Sequence, residues 1–299
     1  MTTKHGMIHA AVIINPTSGP ARRGSSAERV AIAKRVLEAA GVSHDIQLTK
    51  RRNHAYDLAA AAVEAGATLV IVWGGDGTIN EVAQAVAFTD VSLGFVPGGS
   101  GNGFARELKI PFDPEKAIRH ALSSPDRRLD VGEMAGRMFF NIAGIGLDAK
   151  VAADVGTFGN QRGLRPYLRA SAREVLGYLP LTYEIDIDAG SVRRDALIVA
   201  LANSRQYGFG ARIAPLALLD DGLLDLVVVE ARSFLGNAVR VPSLFTGDFH
   251  KRSGVSSWKV REVRVRASQR MLFHVDGEVV EGGHELAARV HAGALRVRA

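Results

Sequence analysis

At 299 residues and 47% hydrophobic, the chain is long enough for one large or two medium domains, each with its own core. It has no cysteine, which excludes disulfides, thiolate metal sites and cysteine nucleophiles and fits a reducing cytoplasm. The net charge of +6 and a pI near 9.8 favour an anionic partner, and without a recognition-helix, zinc-finger or aromatic-platform signature no nucleic acid is expected.

Residues 1–10 carry no basic region followed by an apolar core, so no signal peptide is expected, and no apolar run reaches membrane-spanning length. The first apolar run, 8–14, reads as a buried strand. It stops at Asn15-Pro16-Thr17-Ser18-Gly19, where Pro16 and Gly19 end the strand and Thr17 and Ser18 offer hydroxyls to a phosphate. Residues 19–26 have the glycines of a Walker A loop but lack its lysine, which excludes a P-loop. An amphipathic helix is expected over 26–40, closed by Gly41, then a strand over 44–48. The basic loop Thr49-Lys50-Arg51-Arg52-Asn53-His54 follows, and a helix over 55–65. It lies just after a strand, where open α/β sheets bind ligands.

The run 68–73 reads as a third buried strand, and Ile79, Val82, Ala83 and Val86 recur at helical spacing beyond it. Between them stands Gly74-Gly75-Asp76-Gly77-Thr78. Glycines there let a phosphate approach the backbone, and the helix start offers unpaired N–H groups and a positive dipole end. A carboxylate in such a turn, Asp76, points to bridging through Mg²⁺ or to a base for an incoming hydroxyl. A fourth strand, 92–96, runs into a second glycine-rich loop, 97–103, and a short helix over 104–108. In a parallel sheet the three loops lie on one edge, so Asn15, Gly75 and Ser100 are expected to converge on one nucleotide.

A proline-punctuated link at 111–114, a short helix and the stretch Ser123-Ser124-Pro125-Asp126 mark a boundary. The expected domains are an α/β nucleotide-binding domain with a mainly parallel sheet, 1–125, and a β-rich, sandwich-like domain, 126–299. Strands are expected at 129–135, 137–143, 181–188, 194–201, 224–230, 259–266, 270–275 and 286–291, with a hairpin turn at Ala135-Gly136. Arg162, Arg165, Arg169 and Arg173 stripe one expected helix, a pattern that fits either a solvated face or an anionic membrane surface. Leu218 to Asp225 is an acidic turn entering a strand. Phe273-His274-Val275-Asp276-Gly277-Glu278 reads as a strand ending in a turn flanked by two carboxylates.

These motifs carry a resemblance. Asn15-Pro16-Thr17-Ser18-Gly19, Gly74 to Glu81, Pro97 to Arg106, Gly144 to Ala149, Asp220 to Asp225 and Asp276-Gly277-Glu278 resemble, in order, the motifs of the diacylglycerol kinase catalytic-domain family. That family includes sphingosine and ceramide kinases and bacterial lipid kinases, and NAD kinases share the Gly-Gly-Asp-Gly-Thr core. Gly103 stands where many bacterial diacylglycerol kinases carry Asp and is closer to the sphingosine kinases. The resemblance implies an ATP-dependent lipid kinase that transfers the γ-phosphate of Mg·ATP to the hydroxyl of diacylglycerol, a sphingoid base or a related lipid. Such an enzyme serves phospholipid biosynthesis, in the cytoplasm or at the inner membrane face, and a homodimer is compatible with it.

Carried over residue by residue, the resemblance gives Mg·ATP to Asn15, Pro16, Thr17, Ser18, Gly19, Thr49, Gly75, Asp76, Gly77, Thr78, Ile79, Asn80, Glu81 and Ser100. It gives catalysis to Glu278 as general base, with Asp276 beside it and Asp76 on the metal or nucleophile. It gives a structural Mg²⁺ to the carbonyls of Leu218 and Leu223 and the carboxylate of Asp221. A cleft between the domains is expected to hold the lipid head. The alternatives are an NAD kinase-like phosphotransferase and a non-catalytic nucleotide- or lipid-binding regulator.

Overall fold

The structure is a computed structural model and describes residues 8–19, 25–99, 101–157, 178–188, 190–208 and 210–299. The chain divides into two compact units, Met1–Leu129 with Gly293–Ala299, and Asp130–Ala292. Among the described residues no helix is long and apolar enough to cross a membrane.

The first unit alternates strand and helix: β1 (His9–Ile14), α1 (Ser26–Ala39), β2 (Ser43–Leu48), α2 (His54–Glu64), β3 (Leu69–Gly74), α3 (Asp76–Val86), β4 (Ser92–Pro97), α4 (Gly103–Glu107) and α5 (Pro114–Ser123). All four strands are parallel, in the order β4-β3-β1-β2. Every residue of β3 and β4 is buried, as a sheet covered on both faces demands, whereas the edge strand β2 has no buried residue. The helices start on identifiable signals. Ser25 and Glu28 form a reciprocal capping box at α1, and Asp113 caps α5 with Pro114 in its first turn.

Strand order decides where a ligand would lie. The chain moves from β1 outward to β2, then returns past β1 to β3, so right-handed crossovers place α1 and α2 on opposite faces. The loops leaving β1 and β3 therefore part company at a topological switch point, where the crevice of an open α/β sheet forms. The register keeps the strand ends level: Ile14 pairs with Leu48 and Trp73, and Gly74 with Pro97.

The second unit is β-rich, as expected. It holds β5 (Asp126–Met134, from Asp130), β6 (Arg137–Phe139), β7 (Ile142–Gly146), α6 (Leu147–Thr157), β8 (Leu181–Ile187), β9 (Gly190–Ala202), β10 (Gln206–Gly208), β11 (Ala211–Arg212) and β12 (Leu224–Glu230). After two short helices, α7 (Phe234–Ala238) and α8 (Ser243–Thr246), come β13 (Val255–Val260), β14 (Glu262–Ala267), β15 (Leu272–Val275), β16 (Glu278–Glu281) and β17 (Glu285–Arg298, to Ala292). The segment 137–143, expected as one strand, is split between β6 and β7, because Phe140 and Asn141 turn to meet Asp276. The expected strand 259–266 is likewise divided at Arg261.

The long strand β9 organises this unit. Its first half pairs with β8, and its second half lies between β7 and β12. Side chains alternate along β12: Leu224, Leu226 and Val228 join a core with Tyr183 and Phe273, while Val227 and Val229 join another with Ile213 and Phe249. β12 is therefore buried on both faces, with Tyr183 and Phe273 on one side and Ile213 and Phe249 on the other.

Candidate functional site

In the first unit, the loop after β1 is built by its own side chains. Asn15 donates its N–H to the Trp73 carbonyl at 2.9 Å, and its Nδ2 to Thr78 Oγ1 at 2.8 Å. Its Oδ1 accepts the Thr17 N–H at 3.0 Å and the Thr17 hydroxyl at 2.9 Å, a turn closed by a side chain. From beneath, Arg29 of α1 donates to the carbonyls of Asn15 and Ser18, both at 2.8 Å, and to Ser18 Oγ at 3.1 Å. Arg29 is only 3% exposed, so it is a fixed part of the loop. Sequence reading missed it, because one arginine on an amphipathic helix reads as a solvated charge.

The two glycine-rich loops meet this first one and each other. The Gly98 N–H donates to the Gly74 carbonyl at 2.7 Å. A Cβ on Gly98 would come within 2.7 Å of Ser18 Oγ, and one on Gly99 within 2.7 Å of Gly75 Cα. Only a glycine lets the backbones at Gly99 and Gly75 come this close. Asp76 then locks the pair. Its Oδ2 accepts the Asn102 N–H at 2.8 Å and its Oδ1 the Gly103 N–H at 2.7 Å, capping the start of α4. Burial raises the Asp76 carboxyl above its ordinary value, and these N–H donors pull against the rise. Asn102, 1% exposed, exchanges hydrogen bonds with Gly99 at 2.8 Å in each direction. It holds φ at +53°, a left-handed conformation that Asn tolerates better than most residues. Asn102 falls within the Pro97 to Arg106 motif, whose resemblance gave it no role.

The other residues assigned to the nucleotide divide. Thr17 and Gly77 are exposed beside these loops. Gly75 starts α3 without a side chain, so its N-cap supplies no side-chain acceptor to the first turn. Thr49 extends the β1–β2 ladder, its N–H donating to the Ile14 carbonyl at 2.9 Å. Three more of them make contacts within the fold. Ile79 is 2% exposed and spends its N–H on the Gly75 carbonyl, so its side chain packs the core. Glu81 accepts the N–H groups of Asn53 and Ala55, both at 3.1 Å, and so caps α2. Asn80 Oδ1 accepts from the Gln84 side chain. Ser100 and the arginines of 162–173 lie outside the described residues.

In the second unit, Asp276 and Gly277 form a two-residue hairpin loop between β15 and β16, with φ of +48° and +85°. The Asp276 carboxylate accepts three backbone N–H groups: Phe140 at 2.7 Å, and Asn141 and Ile142 at 2.9 Å. Burial pushes its carboxyl up, and the three donors with His274 oppose that. These bonds tie the turn to residues 140–142. Glu278, first residue of β16, is exposed. Below the turn, His274 and Asp148 form a buried pair 3.2 Å apart.

The acidic turn at 218–225 is arranged around a lysine. Lys259 Nζ lies 2.7 Å from Asp221 Oδ2 and 2.8 Å from Asp225 Oδ2. Asp221 Oδ1 accepts the Leu223 N–H at 3.1 Å. Burial lowers the Lys259 ammonium, but the bonds to Asp221 and Asp225 outweigh it and hold it above its ordinary value. These residues do not fit the structural ion expected of Leu218, Asp221 and Leu223, because an ammonium already supplies the positive charge. Among the described residues no group of three or more His, Asp or Glu side chains could hold a metal ion.

Two family models cover this chain: the diacylglycerol kinase catalytic domain over residues 9–134, and the YegS C-terminal NAD kinase beta sandwich-like domain over 141–299. A probable lipid kinase YegS-like protein of Pseudomonas fluorescens is 32% identical over 283 residues, covering 90% of each chain. A diacylglycerol kinase of Bacillus subtilis is 30% identical over 277 residues, covering 91% of this chain and 90% of that one. A crystal structure of a putative diacylglycerol kinase from Bacillus anthracis, 20% identical, has the same fold, with a TM-score of 0.80 over 99% of this chain and 97% of the other. The chain belongs to the diacylglycerol kinase catalytic-domain family of kinases.

Proposed function

We propose that the protein is an ATP-dependent lipid kinase that moves the γ-phosphoryl group of Mg·ATP to a lipid hydroxyl. One observation carries this reading: the loops after β1, β3 and β4 close on each other at the switch point, where a Cβ on Gly98 would meet Ser18 Oγ and one on Gly99 the backbone of Gly75. Such a crevice, with the start of α3 beside it, suits a polyphosphate better than an apolar ligand.

Phosphoryl transfer asks the protein for positioning and charge neutralisation more than covalent chemistry. Asn15 to Gly19, Thr49 and the first turn of α3 would receive the triphosphate and its Mg²⁺, which enter together as substrate. Asp76 would keep the two glycine-rich loops in register. Glu278 would accept the proton of the lipid hydroxyl as the new Pγ–O bond forms and the bond to the β-phosphate oxygen breaks, releasing ADP. A basic chain that draws its second substrate from a bilayer would work from the cytoplasm, in peripheral contact with an anionic inner membrane face.

The test is transfer of label from γ-labelled ATP to a panel of diacylglycerol, sphingoid base, ceramide, phosphatidylglycerol and NAD. Label in a lipid extract is expected. Label in NADP alone, or none in any acceptor, overturns the reading.

A further inference from the structure

We infer that the buried Asp148–His274 pair is a positioning device for the hairpin that carries Glu278, an inference that rests on Glu278 acting as the proton acceptor. His274 lies on β15, 5% exposed, and Asp148 in the first turn of α6, 3% exposed. His274 Nε2 is 3.2 Å from Asp148 Oδ2. On the other side of the ring, the Gly277 N–H donates to Nδ1 at 3.3 Å. The imidazole thus bridges a helix start and the tip of the hairpin, one residue before Glu278.

These contacts fix the state of the ring. A backbone N–H can only donate, so Nδ1 is the acceptor and the proton sits on Nε2, facing Asp148. A proton on Nδ1 would set one donor against another. Asp148 therefore selects the tautomer whose free lone pair holds Gly277. The neighbouring strand is cut away for this contact. Gly144 pairs with His274 across β7 and β15, and a Cβ on it would come within 1.8 Å of Asp148 Oδ2 and 2.8 Å of His274 Nε2. Asp276 anchors the same tip to residues 140–142. Two independent clasps on a two-residue loop leave the first residue of β16 a defined position. A proton acceptor requires that, since its oxygen must come within hydrogen-bond reach of the attacking hydroxyl.

Two variants separate this role from packing. His274→Asn keeps an acceptor near Nδ1 and loses the reach to Asp148; His274→Gln keeps a donor near Nε2 and loses the tie to Gly277. Turnover is measured on the lipid that the acceptor panel labels, and exchange of the Gly277 amide in the same full-length samples. His274→Gln is expected to lower kcat by about ten- to a hundredfold, with the ATP KM within about twofold and faster Gly277 exchange. His274→Asn is expected to keep kcat within about threefold of wild type. Equal losses in both variants, or faster exchange with unchanged kcat, overturn the proposal. Glu278→Gln is run alongside. If it stays active, the base reading fails by itself, and the Gly277 exchange alone then decides whether His274 holds the hairpin.

Discussion

Asp76 Oδ1 accepts the Gly103 N–H at 2.7 Å, so the first residue of α3 caps the start of α4. Its Oδ2 does the same for Asn102. The carboxylate therefore does structural work whatever it does for a metal. Asp76→Asn keeps one acceptor and turns an NH₂ group toward the other N–H. The expected loss is about 1.5–3 kcal/mol of stability, the size of a hydrogen bond to a charged group. Thermal unfolding without nucleotide reads it directly. A variant with wild-type Tm and weakened affinity only for Mg·ATP would instead make Asp76 a ligand and nothing more.

How much of the fold is legible in the sequence depends on the kind of signal. Buried parallel strands and glycine-rich turns are local patterns, and β1, β3, β4 and their loops lie where those patterns put them. Contacts distant in sequence leave no such trace. Glu81 follows a glycine-rich phosphate-type turn, yet its carboxylate reaches back to residues 53 and 55. Asp276 and Asp221 sit in motifs that read as catalytic and metal-binding, but backbone N–H groups and Lys259 hold them. The assignment of Gly293–Ala299 to the first unit depends on Val297 pairing with Leu93 and on arginines reaching Asp126, which no local pattern announces.

Asp276 offers a clean test, because Asn tolerates its φ of +48° and leaves the backbone undisturbed. Asp276→Asn removes the charge and one acceptor from beneath three N–H donors. A cost of about 1–3 kcal/mol is expected, read as a lower midpoint in urea at unchanged slope. Kinetics add a second expectation. If Asp276 holds the turn and takes no proton, kcat of the variant keeps the wild-type pH profile at a lower plateau, and a lost ionisation in that profile would return it to the catalytic set.

The turn around Lys259 makes a prediction about metal removal. With an ammonium between Asp221 and Asp225, the nucleotide-free protein needs no divalent ion there. Its Tm is expected to be the same in excess chelator and in Mg²⁺. Lys259→Met leaves two carboxylates side by side and is expected to cost about 1–3 kcal/mol, between a surface and a buried ion pair. That variant should now be stabilised by Mg²⁺ or Ca²⁺, which bring back the missing charge. A wild-type Tm that falls in chelator would restore the ion to this turn.

Asp126 sets the acid response of the first unit. Burial raises its carboxyl, but the Ser92 hydroxyl at 2.6 Å and Arg296 and Arg298, also at 2.6 Å, outweigh that and hold it below the usual carboxylate range. A carboxyl depressed in the folded state binds its proton more readily once unfolded. Its stabilisation is therefore complete above the unfolded value, about 3.9, and is lost as the pH falls through the lower folded one. The contribution at neutral pH is expected to be under about 1 kcal/mol, since water screens the pair. Tm measured from pH 7 downward should show Asp126→Asn below wild type at neutral pH, with the curves merging in strong acid. Because both arginines lie in the C-terminal segment that pairs with β4, proteolysis of that segment should follow the same curve. A gap between wild type and variant that stays constant down to the acid limit would mean that the pair contributes no proton-linked stability.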